Sequence, residues 1–146
     1  MDHVGRIRKW FSLTRGVAAI EFALILPVFF LILFGVINFG IMIYDKAVIV
    51  NAAREGARWA AINTKASFGC AGTNTGTLDP CEIANSYTNG RLISFVGTTV
   101  SHTAASGTAV SGTIVTVTVS FNFAMIGWIS GAPAYTLSAT TIMYHE

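Results

Sequence analysis

The chain has 146 residues, the size of about one domain, and only 11 % of them are charged, against the ~25 % of a soluble globular domain. With 53 % hydrophobic and 12 % aromatic residues and a mean hydropathy of +0.60, it is neither an ordinary soluble domain nor a disordered tail, and a membrane segment is required. A net charge of +2, with no Lys/Arg cluster beyond residue 16, leaves no electrostatic footprint for nucleic acid.

The charge is unevenly placed. Asp2 stands against Arg6, Arg8, Lys9 and Arg15 in residues 1–16, Glu21 is alone, and from Phe22 to Tyr44 there is no charged residue. At 1.5 Å per residue that run spans about 34 Å of helix, enough to cross a ~30 Å hydrocarbon core. A transmembrane helix is expected over residues 17–44, and retention of the basic end predicts a cytoplasmic N-terminus and an exported C-terminus. A cleaved secretory signal is the rival reading. Its apolar region is shorter, however, and Tyr44, Asp45 and Lys46 stand where a small-residue cleavage site belongs.

Residues 45–62 contain no Pro, one Gly and six Ala, so the helix is expected to continue to about residue 63 as a rod of about 70 Å. Ile49, Ala53, Gly56 or Ala57, and Ala60 recur at helical spacing and form a narrow small-residue stripe suited to close packing. That stripe is expected to meet other subunits, so that Ala53→Leu impairs assembly but not membrane insertion. Arg54, Glu55 and Arg58 read as a solvated face.

Residues 66–79 are rich in Gly, Thr, Ser and Asn and read as a loop. Asp79 then offers an N-cap, Pro80 an N1 residue and Glu82 an N3 partner, which starts a second helix with Ile83, Tyr87 and Phe95 near one face. From Thr98 the period becomes two. Val115, Val117, Val119, Phe121 and Phe123 alternate with polar residues, as do Tyr135, Leu137 and Ala139, so two strands should pair antiparallel around the connection at residues 124–134. A weaker first strand is expected at residues 98–104. The fold class is therefore α+β, a long N-terminal helix carrying a small domain at 64–146 with a second helix and about three antiparallel strands.

So small a domain needs a staple or a partner. Cys70 and Cys81, the only cysteines, fall on the side expected to be oxidising. A disulfide between them is favoured over two free thiols and closes a loop worth about 3 kcal/mol by chain entropy.

Catalytic patterns are missing. His3, His102 and His145 lie on separate segments without metal-ligand spacing, and there is no nucleophile elbow, phosphate loop or dinucleotide motif, so no enzyme, metal or cofactor is expected. A thiol dyad involving His102 is outweighed by the reading of a polar histidine in a Thr/Ser-rich strand. The physically odd residue is Glu21, because a carboxylate entering hydrocarbon costs about 2.5 to 3.5 kcal/mol. Either it is hydrated at the interface or it has a functional partner.

Arg15-Gly16 followed by Val-Ala-Ala-Ile-Glu-Phe (17–22) resembles the prepilin-peptidase site of type IV pilins, with Gly before the scissile bond and Glu fifth in the mature helix. More narrowly, residues 15–40 and 51–61 resemble the TadE-like minor pilins, or pseudopilins, of the tight-adherence (Tad/Flp) pilus system. Gly16, Glu21, Pro27, Gly35, Gly40 and Ala-Arg-Glu-Gly-Ala-Arg (53–58) carry the likeness. The resemblance implies a leader at residues 1–16, cleavage between Gly16 and Val17, and assembly through Glu21, Phe22 and Pro27. The new α-amine of Val17 would pair with Glu21 of an adjoining subunit, and Pro27 would loosen the helix. Implied partners are the prepilin peptidase, other minor and major pilins, the inner-membrane assembly platform and the lipid bilayer. Implied localisation is the bacterial inner membrane, with incorporation in an extracellular pilus. An uncleaved single-pass scaffold and an exported binding module are the alternatives.

Overall fold

In the computed structural model the described residues are 4–63, 70, 79–93, 101–108, 110–125 and 135–146, with residues 4–15, 101 and 102 described by their backbone. They form α1 (Val4–Ile62), α2 (Pro80–Thr88), β1 (Ser101–Ser106), β2 (Ile114–Phe123) and β3 (Tyr135–Tyr144), an α+β arrangement. Residues 1–3, the expected loop apart from Cys70 and Asp79, Phe95, residues 98–100 and the connection at 126–134 lie outside the described residues.

The chain divides into two units, Met1–Ile37 and Asn38–Glu146. The described residues of the first, 4–37, are all helix. Val17, Phe22, Leu24, Val28, Leu31 and Val36 are each more than half exposed, so the apolar surface they form is open within the unit. Pro27 lies inside the helix, where its missing N–H leaves the Ala23 carbonyl without its usual donor. Phe30 stacks on Phe34 at 5.9 Å between ring centroids and meets Phe29 edge-on at 5.8 Å.

In the second unit three strands form one antiparallel sheet in the order β1-β2-β3. Opposite each other stand Ala105 and Val117 on one side, and Val117 and Thr141 on the other. The alternation in β2 works as its period predicts: Val115, Val117, Val119, Phe121 and Phe123 are all buried, and Thr116, Thr118 and Ser120 stand on the opposite face. Each such fully buried side chain contributes about 1.5 to 3 kcal/mol relative to exposure. On the outer face the Thr118 and Thr140 hydroxyls meet at 3.0 Å and the Thr136 hydroxyl donates to Asn122 Oδ1 at 2.9 Å.

Asp79 caps α2 as its position before Pro80 predicts, Oδ1 accepting the Glu82 N–H at 2.7 Å. The helix stops at Thr88, well short of the Phe95 expected on its face. Asn89 is extended and Gly90 takes φ +72°, a left-handed conformation that Gly adopts without the Cβ penalty and that turns the chain away. The first strand is described from Ser101 and runs on to Ser106, past the expected end at residue 104.

Candidate functional site

The candidate site is α1, read from its N-terminal end to the sheet it supports. Gly16, Val17, Glu21, Phe22 and Pro27 are all exposed on the helix of the first unit. A Cβ added at Gly16 would meet nothing within 4 Å, so the backbone there is sterically open. The Gly16–Val17 peptide is nevertheless inside a continuous helix, and the surface around Glu21 is apolar: Val17, Ile20, Phe22, Leu24 and Ile25 are each more than half exposed.

Beyond Asn38 one face of α1 turns inward. Ile49, Ala53, Ala57 and Ala60 are completely buried and belong to the same core as Ala84, Val117, Val119 and Phe121. The small-residue stripe therefore packs on its own chain, which corrects the expectation that it meets other subunits. Small side chains are needed because α2 and β2 come very close. A Cβ at Gly56 would stand 2.7 Å from the Pro80 carbonyl oxygen and 3.3 Å from Ala84 Cβ and Val117 Cγ1. In the run 53–58 the division is clean, with Ala53, Gly56 and Ala57 buried and Arg54, Glu55 and Arg58 exposed, the solvated face expected of them.

Cys70 and Cys81 are joined in a disulfide with Cα atoms 5.6 Å apart. Cys81 is buried in the first turn of α2, and the Ala105 N–H donates to Cys70 Sγ at 2.9 Å. The bridge thus holds the start of α2 beside β1, where the Thr103 hydroxyl also donates to Asn85 Oδ1 at 2.6 Å.

Two polar anchors on α1 are not apparent from residue type. Asp45 is fully buried; its Oδ1 accepts the Ile93 N–H at 3.0 Å, and Oδ2 has no partner among the described residues. Burial pushes its carboxyl above the usual range, opposed by that N–H, as desolvation disfavours the charged form. Asn38 is buried as well. In sequence Asn38 lies within the uncharged run and Asp45 just past it, and neither stands out by type, yet Asn38, Asp45, Ile49, Ala52 and Gly56 are spaced by seven, four, three and four. They continue the packing stripe backward, and that spacing was the available signal.

At the other end of α1, chain-terminal residues meet the orphan carbonyls that a helix leaves in its last turn. The Glu146 N–H donates to Ala61 O at 3.1 Å, and His145 Nε2 lies 2.9 Å from Asn63 O, which makes that nitrogen the donor. His145 also extends the β2–β3 pairing through Thr113 and Gly112. Among the described residues no group of three or more His, Cys, Asp or Glu could hold a metal ion.

These features define an apolar helix long enough to cross a membrane, continuing as the spine of a small α+β unit. The family model described as TadE-like protein matches residues 16–58, from Gly16 through the Ala-Arg-Glu-Gly-Ala-Arg run. A comparison with curated proteins and one with solved structures each gave no match.

Proposed function

We propose that the chain is a minor-pilin-like subunit of a Tad-type pilus, anchored by α1, processed after Gly16 and recruited through its N-terminal helix. The observation that carries this reading is the helix surface from Val17 to Ile37: apolar, largely exposed, and bearing one charge, at Glu21. The uncharged run from Phe22 to Tyr44 makes about 34 Å of helix, enough to cross a ~30 Å hydrocarbon core. Such a surface suits lipid when the subunit is stored in the membrane and helices of neighbouring subunits when it is assembled. Only the assembled state offers Glu21 a counter-charge, the α-amine released at Val17 of an adjoining subunit. The match over residues 16–58 supports the same assignment.

The N-terminus on this reading is cytoplasmic and the second unit is exported, since the basic residues precede the span. The disulfide accords with export, because an oxidising compartment is where such bonds persist. Prepilin peptidase, other pilins and the membrane assembly platform are then the partners.

One observation favours a second reading, an uncleaved scaffold. The helix runs unbroken from Val4 across Gly16, so cleavage requires it to open locally. Gly16 lowers that cost by about 1 kcal/mol relative to Ala. Intact mass of the membrane-extracted protein separates the readings: with the peptidase present the chain should begin at Val17, and without it at Met1. Full-length protein in both strains would establish the scaffold instead.

A further inference from the structure

Between the end of the apolar run and strand β3 lies a cleft of about 380 Å³, lined by Met42, Ile43, Lys46, Thr136, Leu137 and Ser138. We propose that it binds the phosphate-bearing headgroup and first acyl carbons of an anionic membrane phospholipid. The proposal rests on the reading that α1 spans the bilayer and adds a partner for the second unit.

Depth is the first argument. If the uncharged run from Phe22 to Tyr44 crosses the hydrocarbon core, Lys46 stands about 3 Å of helix rise beyond it, inside a headgroup layer about 5 to 8 Å thick, and Met42 and Ile43 stand at the edge of the core. The cleft thus lies where acyl carbons give way to lipid phosphates. Its chemistry is the second argument. Met42, Ile43 and Leu137 supply an apolar floor, and Thr136 and Ser138 flank Leu137 along β3. Lys46 is the first cation after the uncharged run. Its ammonium donates to the Ser138 carbonyl, and with three N–H donors it retains two for phosphate oxygens. Charge is the third. Among the described residues no acidic side chain lines the cleft, and the neighbouring Asp45 is buried and bonded to the Ile93 N–H, so no carboxylate lining the cleft competes for the Lys46 ammonium. Volume agrees too, falling within the range of small-molecule sites.

The test uses the full chain in phosphatidylcholine nanodiscs doped with phosphatidylglycerol that carries a photoreactive group beside its phosphate, with adducts located by peptide mass spectrometry. Adducts should concentrate on residues 42–46 and 136–138. Lys46→Gln should lower their yield about fivefold, the worth of one cation at an anionic lipid surface, and Lys46→Arg should retain it. Leu137→Trp, which fills the floor and leaves Lys46 in place, should lower it as well, with an unchanged melting temperature showing that the unit is folded. Equal labelling of all residues at that depth, or indifference to both Lys46→Gln and Leu137→Trp, would overturn the proposal. Displacement of the adducts by millimolar inorganic phosphate would also overturn it, identifying a free-anion site. A second probe with its photoreactive group at the acyl terminus should label residues 22–37 in every variant. Loss of that labelling would strike the membrane reading itself, separately from the cleft.

Discussion

The Cα of Gly56 stands so near Pro80 that a single added methyl would come within 2.7 Å of the Pro80 carbonyl oxygen. Two effects oppose each other in Gly56→Ala: Ala gains about 1 kcal/mol of helix propensity, and overpacking costs about 1 to 3 kcal/mol. The clash should win, because the obstructing atom is backbone in the first turn of a helix held by the Cys70–Cys81 bridge. We expect a lower melting temperature for the detergent-solubilised chain. Ala53→Leu should also act through folding, giving a protease-sensitive second unit, and an intact unit with impaired assembly would return the stripe to subunit contacts.

The buried carboxyl of Asp45 predicts a dependence of stability on pH. Its folded-state value is raised above the ordinary 3.8, so the folded state holds the proton more tightly than the unfolded chain. The resulting stabilisation is full below the unfolded value and disappears as pH rises through the raised folded one. Melting temperature should therefore increase on mild acidification from neutral pH. Asp45→Asn keeps an acceptor for the Ile93 N–H and removes the titration; its melting curve should lose that acid-side increase. An identical pH profile in the variant would exclude Asp45 as the cause.

Truncation after Tyr144 removes the two residues that satisfy α1 at its C-terminal end. Loss of the Glu146–Ala61 and His145–Asn63 hydrogen bonds, and of the two that His145 makes with Thr113 and Gly112, should cost about 2 to 6 kcal/mol together, at roughly 0.5 to 1.5 kcal/mol each. Hydrogen exchange should rise in residues 59–63 and in the end of β3. Exchange confined to the new terminus would show that the contact contributes nothing.

Replacing Cys70 and Cys81 by Ser should lower stability by about 2 to 5 kcal/mol, the usual loss for a native bridge in a small domain. Because the bridge ties α2 beside β1, the loosening should appear first as faster proteolysis around residue 80. In the native chain both thiols should resist alkylation until reductant is added. Alkylation without reductant would remove the bridge from the fold.

In the second unit, local pattern and tertiary packing decided different things. The two-residue period of 115–123, the Asp79-Pro80-Cys81-Glu82 cap and the helical spacing of Ile49, Ala53, Ala57 and Ala60 are short-range regularities. Each names a buried face or a helix start from neighbouring residues alone, which is why all three were legible. A period specifies which face is buried and says nothing of what buries it. The stripe on α1 looked like a surface for another subunit because small residues favour any close approach, and only the return of α2 and β2 onto it assigned that surface within the chain. Asp45, Asn38 and His145 are polar by type, and their burial depends on Ile93, the sheet and the helix end coming together from distant sequence positions. Glu21 is the opposite case: its anomaly was visible from composition because the cost of a carboxylate in hydrocarbon is set by the residues around it along the helix. Tertiary structure leaves Glu21 on an open apolar surface.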